Sequence, residues 1–366
     1  MRIRNRDTFL FIFIYHLLVV ALLPFFVGVF SWWAALFFLV TFIVGGLSIT
    51  AGYHRLFSHR AYSAHPLYEW TVLLTSTLGL QWSALMWSHD HRLHHNHVDG
   101  DKDPYSINKG FWYAHILWLF SYQRDFQAGL VGDLMKNPRV MFQDRYYIPL
   151  AIAVNGAVFG IGCLFLHPLA SLYAGVLLRV FAIHHCTWFI NSLAHTWGAK
   201  TYARELSAVD NAVMAFLTFG EGYHNYHHVF AGDYRNGVRW YHFDPTKWVI
   251  WTASKLGVAN ALRTVDRVRI QKKLVLKDKE LLLDRLNREF DEFAAELSEK
   301  VETLAARFED NASALMAKLK EFNQASRESR SALRADIRRL RRELQASWKE
   351  WVSLTRAATS QYAIAH

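Results

Sequence analysis

From Thr8 to Tyr53 the chain carries no Asp, Glu, Lys or Arg. A bilayer-crossing helix needs roughly 20 apolar residues, so this run accommodates two. The pattern predicts a hairpin turning at "FSWWA", residues 30–34, where Trp32 and Trp33 suit a membrane–water interface. A second uncharged run extends from Tyr146 to Leu178 and continues after Arg179 as far as Ala199. It reads as another pair, turning near "HPLAS" at 167–171, which makes four spans. After Gly257 there is neither Gly nor Pro, and from about 271 the chain is highly charged. There Leu283, Leu286, Phe290, Phe293, Leu297, Val301, Leu304 and Phe308 recur by threes and fours, and Leu333, Ile337, Leu340 and Leu344 renew the pattern. That is an amphipathic helix of coiled-coil character. Self-association into a homo-oligomer, a folded-back hairpin and a helix lying on the membrane all satisfy it. The expected architecture is therefore all-α, with a membrane domain over 1–265 and a charged helical extension over 266–366.

A cleaved signal peptide is the alternative reading of the N-terminus. The apolar stretch is too long for one, lacks an A-x-A-like end and leads directly into a second span. Arg2, Arg4 and Arg6 then place the retained N-terminus in the cytoplasm by the positive-inside bias. Two hairpins put residues 54–145 and everything after 196, both termini included, on that same side. The net charge of +10 suits anionic headgroups or an acidic partner, and no nucleic-acid motif accompanies it. Cys163 and Cys186, the two cysteines of the chain, fall in predicted spans and read as buried, reduced thiols.

The chemistry lies in the histidines. "HDHRLHHNH" spaces His91, His94 and His95 as H-x-x-H-H, and "GYHNYHH" repeats the spacing with His224, His227 and His228. Positions i, i+3 and i+4 share a helix face, so each triplet is able to address a common locus. "HRLFSH" supplies His54 and His59. Five residues on a regular helix leave that pair about 140° apart at 100° per residue, so they converge only if the second span ends or unwinds there. "INSLAH" adds Asn191 and His195, which are i, i+4. Nine histidines and a carboxamide at one membrane face exceed what a single tetrahedral zinc uses and suit two adjacent metals. Asp90, beside His91, is a plausible carboxylate for orienting a ligand ring. His184, His185 and Arg179 sit within a span, and no role is assigned to them.

Together "HRLFSH", "HRLHH", "NSLAH" and "GEGYHNYHH" resemble the histidine boxes of the membrane fatty acid desaturases, and their order and intervals are most similar to those of the acyl-CoA Δ9 (stearoyl-CoA) branch, bacterial members included. The resemblance covers roughly residues 10–255. It implies four spans under a cytoplasmic helical cap with a di-iron centre. One iron would take His54, His59, His91, His95 and His228; the other would take His94, His195, His224 and His227, with a water held by Asn191. The implied reaction uses O2 and two electrons to leave a cis double bond in an acyl chain. No haem or reductase domain is visible, so the electrons would come from an external carrier of ferredoxin or cytochrome b5 type. Gln81, Trp87 and Asp90 match the family's substrate tunnel. His89, Tyr122 and Gln123 stand where the animal enzymes hold CoA with basic residues, so the CoA clamp is not matched; acyl-CoA stays first, and acyl carrier protein thioesters and membrane lipids stay open. The family limits chain length on the second span. Twelve and eight residues before His54 lie Phe42, a candidate floor, and Gly46, expected to leave space above it. A di-iron hydroxylase of alkyl or lipid substrates is the rival enzyme class. A membrane metal transporter is the rival of another class, and the gathering of the histidines at one face argues against it.

Overall fold

The computed structural model describes residues 3–288, 292–326 and 328–361, so Arg2 and Phe290 lie outside the described residues. Three of the described helices are long and apolar enough to cross a membrane: Arg6–Gly28, Trp32–Ser58 and Pro168–His195. A fourth span results if Pro138–Arg145 and Tyr147–Cys163, which meet at 81°, are taken together. These helices present large apolar side chains outward, among them Val20, Phe25, Trp32 and Ile152. Water would penalise such a surface and lipid tails solvate it, so the chain is a membrane protein. The helix starts are legible locally. Ser31 caps the second span by accepting a hydrogen bond from the Ala34 amide. Pro66, Pro138, Pro168 and Pro245 each open a helix at its first turn, where the missing N–H costs nothing.

The second span does not stay regular. From Ile49 to Ser58 it widens into a π-helix, with hydrogen bonds spanning five residues. The His59 amide donates to the His54 carbonyl at 3.1 Å. This widening stacks positions i and i+5, so His54 and His59, splayed on a regular helix, come to one side with ring centroids 4.8 Å apart. The widened turns leave carbonyls over, and Arg92 serves them: its guanidinium donates to Phe57 O at 2.6 Å and Ser58 O at 2.8 Å while pairing with Asp133.

Two compact units make up the chain: Met1–Ala199 with Leu206–Thr264, and Lys200–Glu205 with Val265–His366. In the first, Tyr53, Leu73, Leu85, Val140 and Ile250 belong to one buried core. Arg179 is buried there without a carboxylate, donating instead to Gly175 O, Leu78 O and Asn155. In the second, the extension is not one long helix. Helices Arg267–Leu286, Glu292–Gln324 and Ser329–Gln361 share a core that includes Val275, Leu286, Val301, Phe308, Ile337 and Trp351. Arg307 pairs with Glu350, Phe308 meets Trp348 and Asn311 bonds Ser347. One number rises as the other falls, so the last two helices run antiparallel. Folding back buries within one chain the apolar stripe that a single helix would leave open.

Candidate metal centre

Nine histidines from four segments meet in two groups. In the first, the Nε2 atoms of His54 and His227 lie 3.1 Å apart, those of His59 and His91 2.7 Å, and those of His95 and His227 3.0 Å. In the second, Nε2 of His228 lies 3.0 Å from that of His224 and 3.3 Å from that of His94, and His195 faces His224 at 3.1 Å. One nitrogen each from His54, His59, His91 and His227 lies within 4.8 Å of the others, and the same holds for His94, His195, His224 and His228. This corrects the division implied by the resemblance: His227 joins the first group and His228 the second. The reason is helical. His224 and His228, four apart, stay together, and His227, about 100° from its neighbour, turns to the other group. His91 and His95 stay together in the same way, while His94 crosses over.

Burial, and then the charge of neighbouring imidazoles, holds His59, His91, His95, His224, His227 and His228 well below the usual imidazole range. Neutral rings with free lone pairs are the form that binds a metal. Carboxylates stand one layer out. Glu221 meets His54 Nδ1 at 2.8 Å, and Asp103 meets His94 Nδ1 at 2.9 Å. Ser207 Oγ contacts His195 Nδ1 at 2.5 Å and is itself bonded by Asp99. Such partners fix the ring orientation and tautomer of a ligand. Burial works against the Glu221 carboxylate, but Arg55 and His54 outweigh it and keep it below the usual carboxylate range. Arg55, fully buried, ties Glu221 at 2.9 Å to Asp244 at 3.0 Å.

Asp90 does none of this. It accepts from His89 Nδ1 at 2.9 Å and is clamped by Arg124 at 2.6 Å, because one residue along a helix turns it away from the face that His91 presents. The acids that do meet ligand rings lie inside or just beyond a box, as in "GEGYHNYHH" and "DGDKDPY", which is the signal that the sequence carries for them.

A cavity of about 540 Å3 opens on the clusters, with a predominantly apolar lining. His54, His91, His94 and His224 border it, and so do Asn191, Asp90, Gln81, Trp87, Phe42 and Gly46. Within this apolar lining, the Trp87 indole donates to Gln81 at 3.2 Å, and Gln81 donates to Thr187 at 2.8 Å. Gln81 sits between two left-handed residues, Leu80 (φ 49°) and Trp82 (φ 70°), a strain of the kind stored at working sites. Trp87 also stacks on His91 with centroids 4.9 Å apart. Gly46 does not leave empty space above Phe42, as expected from the sequence. A Cβ there would lie 2.2 Å from Cε2 of Phe219, whose ring fills the notch and packs on Phe42 at 5.4 Å. Phe219 is itself left-handed (φ 57°), and Thr246 Oγ1 donates to its carbonyl at 2.7 Å. Nothing in the sequence pattern singled out Phe219, Thr187 or Arg124.

Residues 30–259 match the fatty acid desaturase family model. The chain is 43% identical over 255 residues to a probable acyl-CoA desaturase of Schizosaccharomyces pombe, covering 68% of this chain and 53% of that protein. It is 38% identical over 248 residues to acyl-CoA desaturase 1 of Saccharomyces cerevisiae, covering 66% and 48%. With the sn-1 stearoyl-lipid 9-desaturase of Anabaena variabilis it shares 36% over 251 residues, covering 68% and 90%. The matched stretch thus spans about half the length of the two yeast relatives. With a match over most of its length and the two histidine clusters beside an apolar cavity, this chain belongs to the fatty acid desaturase family.

Proposed function

We propose that the chain is an O2-dependent acyl desaturase that introduces a cis double bond, at Δ9, into a long saturated chain carried as its CoA thioester. The observation that carries this reading is the pair of histidine clusters bordering an apolar cavity. The set is all nitrogen, which suits iron among other transition metals. His54, His59, His91, His95 and His227 would hold one ion, and His94, His195, His224 and His228 the other, with Asn191 holding a water. Bound iron, with O2 and two electrons, supplies the oxidising power that an unactivated methylene requires.

The chain's own residues do the rest. Glu221, Asp103 and Ser207 orient ligand rings. The Trp87–Gln81–Thr187 bridge fixes the cavity wall beside His91, and the apolar lining excludes water and aligns two carbons of a flexible chain, which is a positioning task. CoA is favoured because both yeast relatives are named for it, while the Anabaena relative is named for a lipid-bound substrate. Both termini and the metal centre lie on the cytoplasmic side in this reading, where a ferredoxin or cytochrome b5 type carrier delivers electrons. Expression in a desaturase-deficient host, with the double bond located in its fatty acids, tests the proposal. A new Δ9 monoene is expected. A hydroxy acid in its place would reassign the chain to the hydroxylases, and unchanged fatty acids from a membrane-inserted, iron-loaded protein would overturn it.

A further inference from the structure

Tyr105 touches both histidine groups. Its ring lies 4.5 Å from that of His94, and its hydroxyl is 3.4 Å from His91 Nδ1. The next ring is Trp118 at 4.9 Å, followed by Tyr122 at 6.4 Å, half-buried at the surface. Packing alone does not explain this choice of residues. The Trp118 indole N–H is buried without a hydrogen-bond partner, which costs free energy that a phenylalanine would not incur. One indole touches the clusters directly: Trp87, stacked on His91, leads to Tyr53 at 6.2 Å. Tyr53 is completely buried, so that branch ends in the core. The Tyr105 branch runs from metal-facing rings to the surface through oxidisable side chains only.

We propose that Tyr105, Trp118 and Tyr122 form a relay that discharges oxidising equivalents from the metal centre when no acyl chain is in place. The inference rests on the desaturase reading above. In one pass an electron leaves Tyr122 and arrives at the centre. Trp118 and Tyr105 are oxidised and re-reduced in turn and end unchanged, and the Tyr122 phenolic proton goes to solvent. A one-electron donor in solution, a thiol, then restores Tyr122, which takes a proton back. Two passes, added to the two electrons from the carrier and four protons, complete the reduction of O2 to two waters. Without the route, the oxidisable groups nearest the centre are the histidines and Trp87, whose branch ends at the buried Tyr53 and reaches no donor in solution.

The test uses full-length, iron-loaded, reduced protein exposed to O2 without acyl substrate in the presence of a nitroso spin trap. The samples are read by electron paramagnetic resonance and by mass spectrometry of the adducts. Wild type should carry the adduct on Tyr122. Tyr122→Phe should move it to Trp118, and Trp118→Phe should confine it to Tyr105, with several-fold faster histidine oxidation and iron release. A wild type that desaturates substrate yet gives no aromatic adduct would overturn the relay, as would a Tyr122 adduct undiminished in Trp118→Phe. Failure of iron-loaded wild type to desaturate any acyl substrate would overturn the parent reading instead.

Discussion

Gly46 and Phe219 give the most exacting test of how the cavity measures its substrate. A methyl group at Gly46 would sit 2.2 Å from Phe219 Cε2, far inside van der Waals contact, so Gly46→Ala must displace the ring. The backbone cannot yield easily, because Phe219 is left-handed and its carbonyl is bonded by Thr246, which also bonds Thr50 at 2.8 Å. The ring therefore moves into the cavity, at an overpacking cost of about 1–3 kcal/mol, and preference should shift toward shorter chains. Phe219→Ala and Phe42→Ala remove wall and should shift it toward longer ones. Each additional buried methylene is worth about 0.8 kcal/mol, so two carbons change relative kcat/KM on the order of tenfold. The assay is competition among saturated acyl substrates of graded length. Coupling is the decisive quantity: in a Phe219→Ala background the clash is gone, so Gly46→Ala should be nearly silent. An equal effect of Gly46→Ala in both backgrounds, or unchanged length profiles in both wall variants at normal total activity, would refute the reasoning.

His227→Ala should lower iron content and abolish product while the protein still inserts, as read by metal analysis and membrane fractionation. A wild type fully active with one zinc and no iron would contradict the whole ligand scheme. Asn191→Ala should keep most iron and lose most turnover; iron loss as complete as in His195→Ala would make Asn191 a direct ligand. Glu221→Gln should lower metal affinity or activity roughly 10–100-fold, measured by metal titration, with the protein still folded because Asp244 continues to pair Arg55. Truncation after Thr264 should leave desaturation in membranes intact, since among the described residues the three-helix unit contributes no histidine to either cluster. Inactivity of a truncated protein that retains both irons would give that unit a part in electron delivery.

The spans and boxes were legible because each is a one-dimensional signal. Charge-free runs of spanning length and H-x-x-H-H spacings survive without tertiary knowledge. The spacing of His54 and His59 carries its own condition: a regular helix separates them, and the π-helical widening joins them. Contacts that depend on where a loop returns were not legible. Phe219 fills a notch on a helix more than 170 positions earlier in the chain, and no periodicity encodes that. Asp90 follows the same logic: it adjoins His91 in sequence, but the helix turns the two apart and Asp90 pairs with His89 and Arg124. The extension's stripe recurs by threes and fours on either side of 323–332, a pattern that a long helix and a folded-back hairpin both satisfy. That run, "NQASRESRSA", lacks a large apolar residue, which is the available sign of a reversal.

The exchange of middle histidines has a consequence for how the centre assembles. His91 and His95 serve one group while His94 serves the other, and His224 and His228 serve the second while His227 serves the first. Neither group is complete until the helix Ala84–His97 and the short helix His224–Val229 are both docked. Six residues make the latter, too few to hold a helix alone. Its position is instead secured from outside: the Asp210 carboxylate accepts from the Tyr226 amide at 3.1 Å, and the Asn225 side chain donates to Ala208 O at 2.8 Å. Metal binding would then act as a cross-link between the two boxes, because its free energy becomes folding free energy wherever ligands come from separate segments. Filling one group organises a ligand of the other, so the two ions should bind cooperatively, and removing either middle histidine should weaken both groups together.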